Sequence, residues 1–178
     1  VIGETEELAE RLVADMSRGC VRPRYQAARY PDLALTPQPR WDLVKLQHYA
    51  TLSVQSCRGC PFDCEFCDII VMNGRVPRTK SPTQLVAEVE DLRQRGWQGM
   101  VFVVDDNFIG NKRQAKALLR ELIQWRTRTG AKMGFLTEAS ANLADDALDE
   151  PVHGQQAAVI HAGAGGDGEL PALALDGP

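Results

Sequence analysis

The chain has 178 residues, a net charge of −4 and a pI near 5.4. That length suffices for one domain with its own core, and 44% hydrophobic with 25% charged residues excludes a chain too polar to fold. The acidic balance argues against a broad electrostatic grip on nucleic acid, and no apolar run approaches the roughly 18 residues of a membrane span. The first residues, Val1-Ile-Gly-Glu-Thr-Glu-Glu7, have neither the basic nor the apolar region of a signal peptide. Five cysteines, four of them crowded, do not make a disulfide framework; they suggest a reducing cytoplasm and a metal.

Residues 4–18 predict an acidic amphipathic helix with Leu8, Leu12 and Val13 on one face. Residues 21–47 contain Pro23, Pro31, Pro37 and Pro39 and little periodicity, so an extended linker is expected. Ala50 to Ser56 predicts a strand that runs directly into the cysteines. Ser81-Pro82 opens a helix, with Ser81 as N-cap, Pro82 at the first position and Gln84 completing a capping box. Leu85, Val86, Val89 and Leu92 form its apolar face, and Gly96 stops it. Gly99 to Val104 is a continuous apolar run that fits a buried parallel strand, with Asp105-Asp106-Asn107 at its end. Asn111 is placed to cap the next helix. Ala115, Leu118, Leu119, Leu122 and Ile123 face inward, and Gly130 ends it. Lys132 to Thr137 predicts a third strand, closed by Glu138-Ala-Ser140, and Asn142 or Asp145 opens a further helix. Strand, helix, strand, helix, strand is the order of an α/β fold built on a parallel sheet or barrel. The cysteines, the Asp-Asp-Asn run and Glu138 all follow strand C-termini, the rim where such folds bind ligands.

The tail changes character. From Pro151 to Pro178 there is no Lys, Arg or aromatic residue, and Gly, Ala and Pro fill 15 of 28 positions. A flexible tail fits this composition, as does a shifted reading frame of GC-rich DNA; the abruptness of the change favours the second.

The most informative stretch is Cys57-Arg-Gly-Cys-Pro-Phe-Asp-Cys-Glu-Phe-Cys67. Cys60, Cys64 and Cys67 are spaced to hold three irons of a [4Fe-4S] cubane on one loop and leave the fourth iron open. A four-thiolate zinc site using Cys57, Cys60, Cys64 and Cys67 is the competing reading. Only three residues separate its two pairs, whereas zinc ribbons separate theirs by about 15–20. Cys57 ends the strand and can point into the structure. Arg75, Arg78 and Lys80 form a small basic group of the kind that is usually solvated. Cys20 and His48 carry no distinctive spacing, and His153 and His161 fall in the tail.

Cys60-x-x-x-Cys64-x-x-Cys67, with Phe66 before the last cysteine, resembles the radical S-adenosylmethionine (radical SAM) signature. Pro39-Arg-Trp-Asp-Leu43, Arg58 to Ile69, Val104 to Asn111 and Thr137-Glu-Ala-Ser140 extend the resemblance. They are similar to the radical SAM proteins that carry an N-terminal cobalamin-binding domain. The resemblance covers about residues 1–149.

The resemblance implies that Cys60, Cys64 and Cys67 ligate a [4Fe-4S] cluster whose open iron binds the amino and carboxylate groups of SAM. Phe66, Asp105, Asp106, Asn107, Glu138 and Ser140 would contact SAM. It further implies reductive cleavage of SAM to a 5′-deoxyadenosyl radical, with cobalamin-dependent methyl transfer in the full-length protein. A one-electron reductant such as flavodoxin or ferredoxin, and a small-molecule or lipid substrate, would be the partners. The implied fold is a partial (β/α) barrel truncated to about three β/α units. Residues 1–48 would be a linker after a missing cobalamin-binding domain, residues 49–150 the first half of the barrel, and residues 151–178 a disordered or frameshifted tail. A half barrel of this kind is expected to be unstable or inactive alone. An RNA-modifying methylthiotransferase of the same superfamily is a further alternative, disfavoured by the acidic balance.

Overall fold

A computed structural model of the chain describes residues 1–138. Ser140, the helix expected near Asn142 or Asp145, and the tail with His153 and His161 lie outside the described residues. The elements in chain order are α1 (Ala9–Ser17), β1 (Thr51–Val54), β2 (Cys57–Arg58), α2 (Ile69–Met72), β3 (Arg78–Thr79), α3 (Pro82–Gln94), β4 (Met100–Val103), α4 (Lys112–Thr129) and β5 (Gly134–Thr137).

Among the described residues β1, β4 and β5 form a parallel sheet in the order β1-β4-β5. Thr51 lies opposite Met100, and Met100 opposite Gly134. Helices α3 and α4 make the connections between these strands and pack on each other. The alternation of the strands sends Leu52, Val54, Val101 and Val103 into one core with Leu85, Val89 and Leu92 of α3 and Leu118, Leu122 and Trp125 of α4. Each such side chain stabilises the fold by roughly 2 kcal/mol through apolar burial. The α/β expectation is therefore met. The strand expected to be buried on both faces is buried on one: Met100 and Phe102, on the other face, are half-buried.

The helix termini follow their chemistry. Ser81 Oγ accepts from the Gln84 amide at 3.1 Å, and Asn111 Oδ1 from the Gln114 amide at 3.3 Å. Gly130 closes α4 at φ 64°, a left-handed conformation that glycine adopts without a Cβ clash. The expected capping box is only half made. The Gln84 side chain donates instead to the carbonyls of Leu33 and Thr36, both at 3.1 Å, tying the upstream segment to α3. On α4, Trp125 is buried and Ile123 only half-buried.

The upstream segment corrects two expectations. Helix α1 is shorter than residues 4–18, and Val13 is exposed. Its buried face carries Asp15, which accepts from the Tyr25 hydroxyl at 2.8 Å and pairs with Arg18 at 2.8 Å. Residues 21–47 are extended in part, but short 3₁₀ turns at Leu33–Leu35 and Trp41–Leu43 interrupt them, and Tyr25 and Leu33 are buried. No helix among the described residues is long and apolar enough to cross a membrane.

Glu90 links the helices electrostatically. It accepts from Trp125 Nε1 at 2.8 Å and from Arg93 at 2.7 and 2.8 Å. The Arg93 guanidinium first, then the Gln94 and Trp125 N–H groups, hold its pKa down to about 2 from the ordinary 4.5. A depressed carboxylate contributes stability that is fully present above its unfolded value and lost as pH falls through the folded one. Glu90 should therefore contribute above about pH 4.5 and lose that contribution by about pH 2. Thermal melts of the wild type and Glu90→Gln across this window should converge as pH falls; a constant gap would refute the assignment.

Candidate cluster-binding site

The site is built at the carboxyl ends of β1 and β4. Strand β1 gives way to Ser56 and Cys57, and β4 to Asp105 and Asp106. Asp105 is 4% exposed and accepts from the Ser56 amide at 2.6 Å, the Cys57 amide at 2.8 Å and the Ser56 hydroxyl. Burial raises its pKa, and the hydrogen bonds from Ser56 and Cys57 oppose that shift. Asp106 Oδ2 accepts from the Gly59 amide at 2.7 Å and from Asn73 Nδ2 at 2.9 Å. The Asp-Asp pair of one strand thus holds the turn out of its neighbour.

The cysteine loop leaves from this turn and returns to it. Strands β2 and β3 pair antiparallel, with Cys57 opposite Thr79 and Arg58 opposite Arg78. Inside that pair the Cys60 amide donates to the Gly74 carbonyl at 3.1 Å. Gly59 has φ +96°, and a Cβ there would stand 2.7 Å from the Val76 carbonyl oxygen. Only glycine fits this position without moving backbone. Within the loop the Cys67 amide donates to the Cys64 carbonyl at 3.0 Å, and Phe66, Val71, Met72 and Val76 are exposed.

All five cysteines are free thiols. Cys60 is buried, Cys64 exposed and Cys67 half-buried. They share one loop, yet among the described residues no three His, Cys, Asp or Glu side chains converge as a metal-ligand set. The donor chemistry nevertheless suits an iron–sulfur cluster: three unpaired soft thiols at spacings of three and two intervening residues on one loop. Cys57 does not suit a fourth ligand. It is 3% exposed, and burial, reinforced by the Asp105 charge, pushes its thiol up to about 12. A metal takes the thiolate, which is disfavoured at this buried position inside the β2–β3 pair, and this argues against Cys57 as the first donor of a four-thiolate zinc site.

The remaining expected residues scatter. Asn107 is buried, whereas Phe66 is 80% exposed and fills no part of the core. Glu138 is exposed, while its carbonyl accepts from the Phe108 amide at 3.1 Å. His48 and Cys20 are exposed, away from any metal-ligand grouping among the described residues.

The basic group is corrected in part. Arg75 is exposed and pairs with Asp63 at 2.9 Å, as expected of a solvated charge. Arg78 is not solvated. It pairs with Glu4 at 2.5 Å, donates to the Pro31 carbonyl at 2.9 Å and lies 4.8 Å from the Tyr30 ring centroid. Arg58 joins it, pairing with Glu4 and, at 2.7 Å, with Glu6. Burial works to raise the Glu4 pKa, but the hydrogen bonds and charges of Arg78 and Arg58 outweigh it and hold the carboxyl below its ordinary value. Lys80 is buried against Glu88. Glu4, Ser56, Asn73 and Glu88 had no role in the sequence reading. Only Asn73-Gly74 carries a local signal, as a turn dipeptide.

An α/β protein with a three-thiol loop at the carboxyl edge of a parallel sheet is the class these features define. No protein-family model matches the chain. It is 49% identical over 146 residues to an uncharacterised methyltransferase of Synechocystis sp., covering 82% of this chain and 27% of that protein. It is 37% identical over 147 residues to the hopanoid C-2 methylase of Rhodopseudomonas palustris, covering 80% of this chain and 28% of that protein. The fold matches the radical SAM methyltransferase TsrM from Kitasatospora setae, solved with tryptophan and a SAM analogue. The TM-score is 0.68 at 18% identity, over 85% of this chain and 34% of that one. A second TsrM structure, with cobalamin and a [4Fe-4S] cluster bound, matches at a TM-score of 0.56 and 20% identity over 60% of this chain and 21% of that one. By sequence the chain is similar to part of these bacterial methyltransferases, and its fold is the one seen in the TsrM structures. It spans little more than a quarter of the length of the curated relatives it matches.

Proposed function

We propose that the chain is the cluster-bearing part of a radical SAM methyltransferase. Cys60, Cys64 and Cys67 hold a [4Fe-4S] cluster that, when bound, supplies the electron for reductive cleavage of SAM. The observation that carries this reading is the pairing of three free thiols with a strand-end position in a fold shared with TsrM. The TsrM structures hold a SAM analogue in one case and cobalamin with a [4Fe-4S] cluster in the other, which supports the same cofactor set here. The whole protein would then work in the cytoplasm on a small-molecule or lipid substrate, with flavodoxin or ferredoxin as reductant. Residues 1–48 would lead in from a cobalamin-binding domain, and residues 49–150 would belong to the barrel.

The chain's own residues do three things in this reading. The loop places its thiols beyond the sheet edge, where Cys64 is open to an incoming cluster. Exposed Phe66 and Glu138 are accessible to SAM, and Asn107 and Ser140 are further contacts that the resemblance implies alongside Asp105 and Asp106. Asp105, engaged by Ser56 and Cys57, acts from behind by fixing the loop's base. The half-buried Met100–Phe102 face of the sheet is the side a barrel would close over.

Anaerobic reconstitution tests the proposal. Purified chain should take up about four iron and four sulfide, and addition of SAM should change the electron paramagnetic resonance signal of the reduced protein. About one zinc with no sulfide would overturn it.

A further inference from the structure

Asp106 occupies the strand-end run that the resemblance associates with the SAM amino group, but its hydrogen bonds lead elsewhere. One oxygen, Oδ2, accepts from both Gly59 and Asn73. Gly59 immediately precedes Cys60, and Asn73 immediately follows α2. These residues are the two ends of the cysteine loop. The Cys60–Gly74 backbone bond closes the same ends, and Gly59 lies among the carbonyls of Asn73, Gly74 and Val76 with no space for a Cβ. Arg78 donates to the Asn73 carbonyl at 3.0 Å, so Asn73 is fixed on its backbone as well as its side chain.

We infer that Asp106 and Asn73 are positioning residues: a carboxylate–amide clamp that holds the two ends of the cysteine loop together and presets the thiols for metal. The inference deepens the cluster reading and rests on it for its purpose, though the clamp itself does not require a cluster. The carboxylate bridges residues 14 positions apart that would otherwise have to be brought together at each assembly. Closing such a loop costs entropy, and preorganising it removes that cost from metal binding. A charged hydrogen bond is strong enough to do so. The same geometry explains why Cys60, directly inside the clamp, is buried while Cys64 at the loop's far side is exposed.

The test uses the reduced, metal-free chain as well as the reconstituted one, with Asp106→Ala, Asp106→Asn and Asn73→Ala. Alkylation of each cysteine is followed by mass spectrometry, with exposed Cys20 as internal reference. Loss of the clamp should accelerate labelling of Cys60 about ten- to a hundredfold in Asp106→Ala without changing Cys20. Asp106→Asn should restore much of the protection, because its amide oxygen still accepts from Gly59. Asn73→Ala should have an intermediate effect. After reconstitution, iron should leave Asp106→Ala to a chelator about tenfold faster than the wild type. If all three variants keep wild-type Cys60 labelling and iron release, and Asp106→Ala lowers only SAM affinity, Asp106 is a ligand contact and the clamp is wrong. If the wild type takes up no cluster, the cluster reading fails, while the thiol rates still decide the clamp. Should Asp106→Ala fail to fold, Asp106→Asn and Asn73→Ala carry the same labelling test.

Discussion

Serine at Cys60, Cys64 or Cys67 should abolish most iron uptake, whereas Cys57→Ser should leave it near the wild-type level. The expected loss is at least about tenfold for each of the three, since removal of a direct ligand should exceed the 10- to 100-fold cost typical of outer-shell changes. The contrast follows from environment rather than from residue type. Cys60, Cys64 and Cys67 lie on a loop that leaves the sheet, and Cys57 lies inside the β2–β3 pair. Burial pushes the Cys57 thiol up to about 12, so the thiolate that a metal takes is harder to form there than on the open loop. A four-thiolate zinc site predicts the opposite pattern, in which Cys57→Ser removes metal as thoroughly as the others. Iron, sulfide and zinc analysis of the four variants after anaerobic reconstitution distinguishes the two. Equal damage from all four would end the three-thiol reading.

The parts of this molecule that were legible in the sequence are those set by local rules. Ser81-Pro82 and Asn111 announce helix starts because capping needs only a side chain and an amide three residues on. Gly130 announces a helix end because its φ of 64° suits glycine. The run Met-Val-Phe-Val at 100–103 announces a strand by its composition, although the pairing order around it needed the three-dimensional structure. Polar residues were read less well, because their roles are set by partners far away in the chain. Asp15 lies on the buried side of α1 because Tyr25 and Arg18 satisfy it there. Arg78 seemed a solvated charge until Glu4, 74 residues upstream, was placed beside it. Asp106 invited a ligand role by position, and its bonds to Gly59 and Asn73 span 47 and 33 residues. No periodicity encodes such contacts.

Lys80→Met should be the most destabilising single change at the base of the site, by about 3–5 kcal/mol at neutral pH. Lys80 Nζ lies 2.7 Å from Glu88 Oε1, with the two side chains 6% and 1% exposed. Glu88 Oε2 finds no hydrogen-bond partner among the described residues. Without the ammonium, the carboxylate would be buried with no countercharge. Burial already raises the Glu88 pKa above its ordinary value despite the Lys80 hydrogen bond. The sign of the pH effect follows. A raised carboxyl contributes stability below its unfolded value and loses it as pH rises through the folded value. Lys80→Met raises the folded value further, so its deficit should be largest at neutral pH and shrink as the medium is acidified and Glu88 takes up a proton. Replacing both residues, as Lys80→Met with Glu88→Leu, should recover most of the loss, since buried ion pairs exchange for apolar pairs at little net cost. Urea unfolding of the single and double variants at neutral and mildly acidic pH measures both effects. A Lys80→Met chain as stable as the wild type at neutral pH would show that the pair is not buried as a unit. The consequence reaches the site because the Lys80 amide also donates to the Ser56 carbonyl at 2.8 Å, and Ser56 is held by Asp105. Loosening the pair should therefore loosen the turn from which the cysteine loop departs, and iron uptake by Lys80→Met should fall with its stability and return in the double variant.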